Sequence, residues 1–104
     1  MLSKDLLLVP GENKISIIDI NEYKIINVIN VPGSSWILGV CFLTESIILT
    51  GDYSKAINQW KIEDNNLILI SKKEKAHDDN INVICKLGNG HFASSSDDSL
   101  IYIW

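Results

Sequence analysis

Cysteine is scarce in this sequence: only Cys41 and Cys85 occur, 44 residues apart, which excludes a disulfide framework and a closely spaced metal-binding pair. A reducing compartment is the expected home, so an intracellular, cytoplasmic location is predicted. Long apolar runs are missing too. The longest, Trp36 to Leu43, is eight residues including a glycine, against roughly 18 for a membrane-spanning helix. The first ten residues, MLSKDLLLVP, have no basic segment leading into an extended apolar stretch and no small-residue cleavage site, so no secretion signal is read there. Membrane partners are therefore not expected. Nine Lys and Arg stand against 13 Asp and Glu, a net charge of −4 with no basic stripe. Direct nucleic-acid binding needs a basic face to displace phosphate counterions, and none is foreseen. The one basic knot, Lys72-Lys73-Glu74-Lys75, reads as a solvated strand end.

Cofactor signatures are lacking as well. Neither GxGxxG nor GxxxxGK[ST] occurs, so nucleotide cradling has no support. Asp78-Asp79 and Asp97-Asp98 do not alternate around a central glycine as calcium loops require, and they read as turn or capping residues. His91 has no second His or Cys near it in sequence and reads as a half-exposed strand residue instead of a metal ligand. No cofactor and no metal are expected.

What is present is an ordinary globular composition, 46% hydrophobic and 21% charged in 104 residues, enough for one folded domain. Eighteen Ile and ten Asn point to a coding bias and not to function. The organising feature is internal repetition. An offset of 44 residues lays 33–60 over 77–104 without gaps, matching Ile37 to Ile81, Cys41 to Cys85, Leu43 to Leu87, Ile57 to Ile101 and Trp60 to Trp104. An offset of 42 lays Ile15 on Ile57, Ile18 on Trp60 and Ile25-Ile26 on Leu67-Ile68, a partial third copy.

Within each copy the apolar stretches are short and rich in Ile and Val, and turn residues interrupt them every 8–12 positions, the pattern of an antiparallel β-meander. Strands are predicted at 6–9, 15–20 and 24–30, then 36–43, 46–50, 57–62 and 67–72, then 81–87, 91–95 and 100–104. The turns between copies and strands fall at Pro10-Gly11-Glu12-Asn13, Pro32-Gly33-Ser34-Ser35, Glu63-Asp64-Asn65-Asn66 and Gly88-Asn89-Gly90. Helix has little support anywhere.

The segment AHDDNINVICKLGNGHFASSSDDSLIYIW resembles a WD repeat, whose blades carry a Gly-His-like pair, a Ser/Thr strand, an Asp turn and a terminal Trp. The resemblance is strong over 76–104 and weaker upstream. It implies an all-β fold: a partial WD40-type β-propeller of four-stranded antiparallel blades, incomplete at both ends and expected to be a fragment of a longer product. The predicted blades are 1–31 (partial), 32–75 (whole) and 76–104 (partial, without its outer strand). Ala76 replaces the usual Gly before His77. In the second copy Gly33 and Ser54 stand where His and Asp belong, leaving Thr50 and Trp60 of the motif, and in the first copy Ile18 replaces the Trp.

Ser94, His77 and Asp98 are the residue types of a hydrolase triad. A nucleophilic serine needs exposure and an oxyanion hole, often on a GxSxG elbow, and the surrounding Ala-Ser-Ser-Ser-Asp has no such glycines. The resemblance implies instead a structural network of His77, Ser94, Asp98 and Trp104 that pins a loop to the blade. The implied function is a non-catalytic scaffold binding other proteins or peptides through loops at 10–14, 31–35, 51–55, 72–80 and 96–99. Trp36, Tyr53, Lys55 and Asp79 are the candidate contact residues there, since aromatic and charged anchors dominate interfaces. Two alternatives stay open: an accessory propeller of a larger enzyme, and a structural β-module that self-associates through open strand edges.

Overall fold

The computed structural model of the protein describes residues 6–31, 36–64 and 66–104. Ten strands occupy most of the described residues: β1 (Leu6–Pro10), β2 (Lys14–Asp19), β3 (Lys24–Asn30), β4 (Ile37–Thr44), β5 (Ile47–Asp52), β6 (Ile57–Glu63), β7 (Asn66–Lys73), β8 (Ile81–Gly88), β9 (His91–Ser96) and β10 (Ile101–Ile103). Each lies within two residues of a predicted strand. The Ile- and Val-rich stretches favour extended backbone because a branched Cβ packs well on a pleated surface. The turn expected at 32–35 lies outside the described residues. No helix among the described residues is long and apolar enough to cross a membrane.

The strands form three antiparallel sheets, ordered β1-β2-β3, β4-β5-β6-β7 and β8-β9-β10. They are built to one plan. The tight turns leading into β2, β6 and β10 each hold a non-glycine residue at positive φ, Asn13 (59°), Lys55 (70°) and Ser99 (71°), which are equivalent in the repeat. Pairing irregularities recur at the same places: β4–β5 shifts at Ile37/Gly39 and Phe42/Thr44, and β8–β9 shifts 44 residues later at Ile81/Val83 and Lys86/Gly88. A bulge at Ile17/Ile18 in β2–β3 likewise has its match at Gln59/Trp60 in β6–β7.

The second sheet is covered on both faces. One face carries Ile37, Ile48, Trp60 and Leu67, buried against Ile15, Ile17, Ile29 and Val31 of the first sheet and its exit segment. The opposite face carries Leu49 and Ile57, buried against Ala76, Ile81 and Ile84, with Phe92 and Trp104 packed alongside. Full burial of each such Ile or Leu side chain stabilises by roughly 1.5–3 kcal/mol, so these two clusters hold the three sheets together. Two glycines let the second and third sheets approach. A Cβ on Gly39 would lie 2.9 Å from the backbone nitrogen of Ile84, and one on Gly51 would collide with the Ile81 side chain. The outward faces of the first and third sheets keep apolar side chains at the surface, including Leu7, Ile25 and Val28 on one and Val83, Ile101 and Ile103 on the other.

Candidate functional site

The segment between β7 and β8 brings His77 into the third sheet. The Ala76 backbone N–H donates to the Lys55 carbonyl at 2.9 Å, which anchors the segment to the β5–β6 turn just before His77. The ring then enters beside Ser94 on the central strand β9. His77 is 2% exposed and Ser94 1% exposed, so neither polar group has water to turn to and each needs a partner within the protein.

Those partners form one chain of bonds. Nδ1 of His77 lies 2.9 Å from Oδ2 of Asp98, and Nε2 lies 2.7 Å from Oγ of Ser94. The indole N–H of Trp104 donates to the same Oγ at 2.9 Å. One proton arrangement satisfies every member. Nδ1–H donates to the carboxylate, the Ser94 hydroxyl donates to Nε2, and a lone pair on that oxygen accepts from the indole. The structure therefore links all four residues in the order Asp98, His77, Ser94 and Trp104 by side-chain hydrogen bonds.

Asp98 is positioned by the β9–β10 turn and holds that turn in return. Its Oδ2 accepts from the Asp78 N–H at 3.0 Å and its Oδ1 from the Leu100 N–H at 2.9 Å. Desolvation pushes its pKa upward, but the two backbone N–H groups and the His77 ring outweigh it and hold the carboxyl below the usual carboxylate value. Asp98 thereby joins the β9–β10 turn to the segment that carries His77.

The second sheet repeats half of this arrangement. The indole N–H of Trp60 donates to Oγ1 of Thr50 at 2.9 Å, ten residues apart as in the Trp104–Ser94 pair. In the following turn the residue types are exchanged and the roles are kept. Asp52 accepts from the backbone N–H and hydroxyl of Ser54, while the N–H of Asp98 donates to the hydroxyl of Ser96. One position supplies the oxygen and the other the N–H in both sheets, but Ser54 has no carboxylate to make the further bonds that Asp98 makes to His77, Asp78 and Leu100. Gly33, at the place of His77, lies outside the described residues.

Aromatic packing closes the site. Tyr102 stacks on His77 with centroids 4.6 Å apart and meets Trp104 edge-on at 5.8 Å, and Phe92 lies parallel to Trp104 at 6.1 Å. Tyr102 was not singled out from the sequence, although alternation along the strand predicted at 100–104 already puts 102 and 104 on one face. Lys73, read as part of a solvated run, holds its ammonium 5.7 Å from the Trp104 ring centroid. His91 is exposed on β9, with Nδ1 2.9 Å from the Trp104 carbonyl.

The four candidate contact residues are distributed over several turns. Trp36 forms an isolated bridge with Glu12 and is 49% exposed. Tyr53, 51% exposed, and Lys55 share the β5–β6 turn. Asp79 is half-buried in the segment before β8, where its Oδ1 accepts from the Asn80 N–H at 2.8 Å. The Lys55 carbonyl accepts from the Ala76 N–H, which joins the turn that carries Tyr53 and Lys55 to the segment that carries His77 and Asp79. Among the described residues no three His, Cys, Asp or Glu side chains gather as a metal site. Compared with models of known protein families and with curated proteins, the chain matches none.

Proposed function

We propose that this chain is a non-catalytic protein-binding scaffold of the WD-repeat β-propeller kind, its three sheets being successive blades. One observation carries the reading. An indole N–H bonded to a strand hydroxyl recurs 44 residues apart, Trp60 to Thr50 and Trp104 to Ser94, within sheets whose registers and bulges also recur. A repeated bond of this kind belongs to a repeated structural unit, because each sheet buries one face against the next.

The state of Ser94 supports a structural role over a nucleophilic one. Its oxygen is buried and engaged by both His77 and Trp104, whereas an attacking serine needs open space in front of the hydroxyl and donors for the developing oxyanion. Binding would then fall to the turns beside the network, where Tyr53 and Lys55 project. An aromatic ring and an ammonium on one rigid turn suit a peptide with an apolar residue next to an acidic one.

The test compares Tyr53→Ala and Ser94→Ala with the parent chain. The reading expects Tyr53→Ala to abolish capture of a defined protein partner with no change in thermal midpoint, and Ser94→Ala to alter stability. Hydrolysis of an activated ester by the parent chain that disappears in Ser94→Ala would overturn the non-catalytic reading.

A further inference from the structure

A cavity of about 330 Å³ lies between the β5–β6 turn and the end of β7, lined by Ser54, Ala56, Lys72, Glu74 and Lys75. Backbone bonds fix its walls. The chain turns at Lys75, where φ is 51°, and the next two N–H groups, of Ala76 and His77, both donate to the Lys55 carbonyl. Ala56, 2% exposed, gives the cavity a buried apolar wall. The basic run read from the sequence as a solvated strand end is thereby divided. Lys73 lies over the Trp104 ring, while Lys72 and Lys75 line the cavity. Among the described residues neither Lys72 nor Lys75 is in an ion pair, whereas Lys24 and Lys61 each have one, and Glu74 bridges to neither lysine. The Ser54 hydroxyl donates to Asp52, so toward the cavity it can only accept. Asp52 and Lys55, in that same turn, offset each other in charge. Two ammoniums against one carboxylate leave the cavity itself with one positive charge, in a chain whose net charge is −4.

We infer that this cavity takes the carboxylate of one acidic side chain from a bound peptide, held between Lys72 and Lys75. The inference rests on the protein-binding reading above and deepens it. The acidic residue of the peptide enters the cavity, and the apolar residue beside it is left to Tyr53, the neighbour of Ser54. Charge decides the chemical class. One carboxylate brings the cavity to neutrality, whereas a phosphate dianion would leave a negative excess beside Glu74. Each lysine is a compact charge with three donors on a flexible stem, so two of them can close on one carboxylate from both sides. Solvent-exposed ion pairs are individually weak, so the cavity selects among peptides that Tyr53 also engages and does not capture them unaided. The negative charge of the chain as a whole disfavours acidic peptides elsewhere on its surface, so a basic cavity also directs where they arrive.

All nine basic side chains of the protein are lysine, so selective carbon-13 labelling of lysine reports on every ammonium group by NMR. The probe is the capped tetrapeptide Ala-Phe-Glu-Ala, compared with Ala-Phe-Gln-Ala, at millimolar concentration in low salt. The glutamate peptide should shift the Lys72 and Lys75 signals, leave those of Lys24 and Lys61 in place, and bind more tightly than the glutamine peptide. Lys72→Gln and Lys75→Gln should each weaken it by about twofold to fivefold. Lys24→Gln removes the same charge from another place and should not. All three lysines are exposed, so the variants keep the fold. Equal binding of the two peptides, an equal loss in Lys24→Gln, or no saturable shift at Lys72 and Lys75 would overturn the inference. The two readings fail separately. Binding that needs Tyr53 but ignores both lysines would refute the cavity alone, and binding that needs both lysines but ignores Tyr53 would refute the role of Tyr53 alone.

Discussion

Replacing Ser94 by alanine is the sharpest test of how the third sheet is held. The substitution removes one buried oxygen and leaves two donors or acceptors without their partner, Nε2 of His77 and the indole N–H of Trp104. His77 is 2% exposed, so water cannot replace the lost bond, and an unsatisfied buried group of that kind costs about 1–3 kcal/mol. Trp104 is only half-buried. Water reaches its N–H more easily, so the second loss is about 0.5–1.5 kcal/mol, the net value of an ordinary hydrogen bond. Together the two give about 1.5–4.5 kcal/mol, which for a domain of this size lowers the thermal midpoint by roughly 4–8 °C per kcal/mol. Urea denaturation of the parent and variant chains provides the measurement, with the midpoint lowered and the slope unchanged. Ser94→Thr serves as the companion variant, because Thr50 makes the same bond to Trp60 in the second sheet and a threonine should recover most of the loss. A Ser94→Ala loss of under about 0.5 kcal/mol, the level of an ordinary surface change, would show that the network does not hold the fold.

Gly51→Ala should destabilise by about 1–3 kcal/mol in the same assay, since the added methyl meets the Ile81 side chain in a packed interface; an unchanged midpoint would mean that the second and third sheets can slide apart freely. Asp98 has a pKa lowered in the folded chain, so its stabilisation is present above the unfolded value of 3.8 and fades as the pH falls below it toward the folded value. The stability difference between the parent chain and Asp98→Asn should therefore shrink on acidification through that range, and a constant difference would refute the assignment. Burial pushes the Cys41 thiol up to about 11, with the neighbouring Cys85 adding to the effect and Lys86 opposing it, whereas Cys85 itself is exposed. Titration with a disulfide reagent near neutral pH should count one fast thiol in the folded chain and two in urea, and two fast thiols without denaturant would contradict that placement.

Much of this architecture could be read before any coordinates, because it is written in local terms. Ile, Val and turn residues alternate on a scale of a few residues, so all ten strands were placed to within two positions. The gapless repeat carried the turn chemistry and bulges with it from sheet to sheet. The four residues of the His77 network could be named in advance because the resemblance of 76–104 to a WD repeat implies such a network, not because the other copies repeat it. Their bonds are another matter. Ser94 reaches His77 across 17 residues and Asp98 does so across 21, and no local preference specifies contacts at such separations.

Tertiary structure alone decided which apolar strands are covered. Leu49 and Ile101 look alike in sequence, yet one is 1% exposed and the other 72%. Leu49 lies between two sheets, while Ile101 lies on the outward face of the third. Tertiary structure likewise decided that Lys73 sits over an indole and that Gly39 and Gly51 mark where two sheets touch. Strand pattern depends on the backbone and side chain of each residue in turn. Burial and cavities depend on what another sheet brings to the same place, and that information appears only when the sheets are packed.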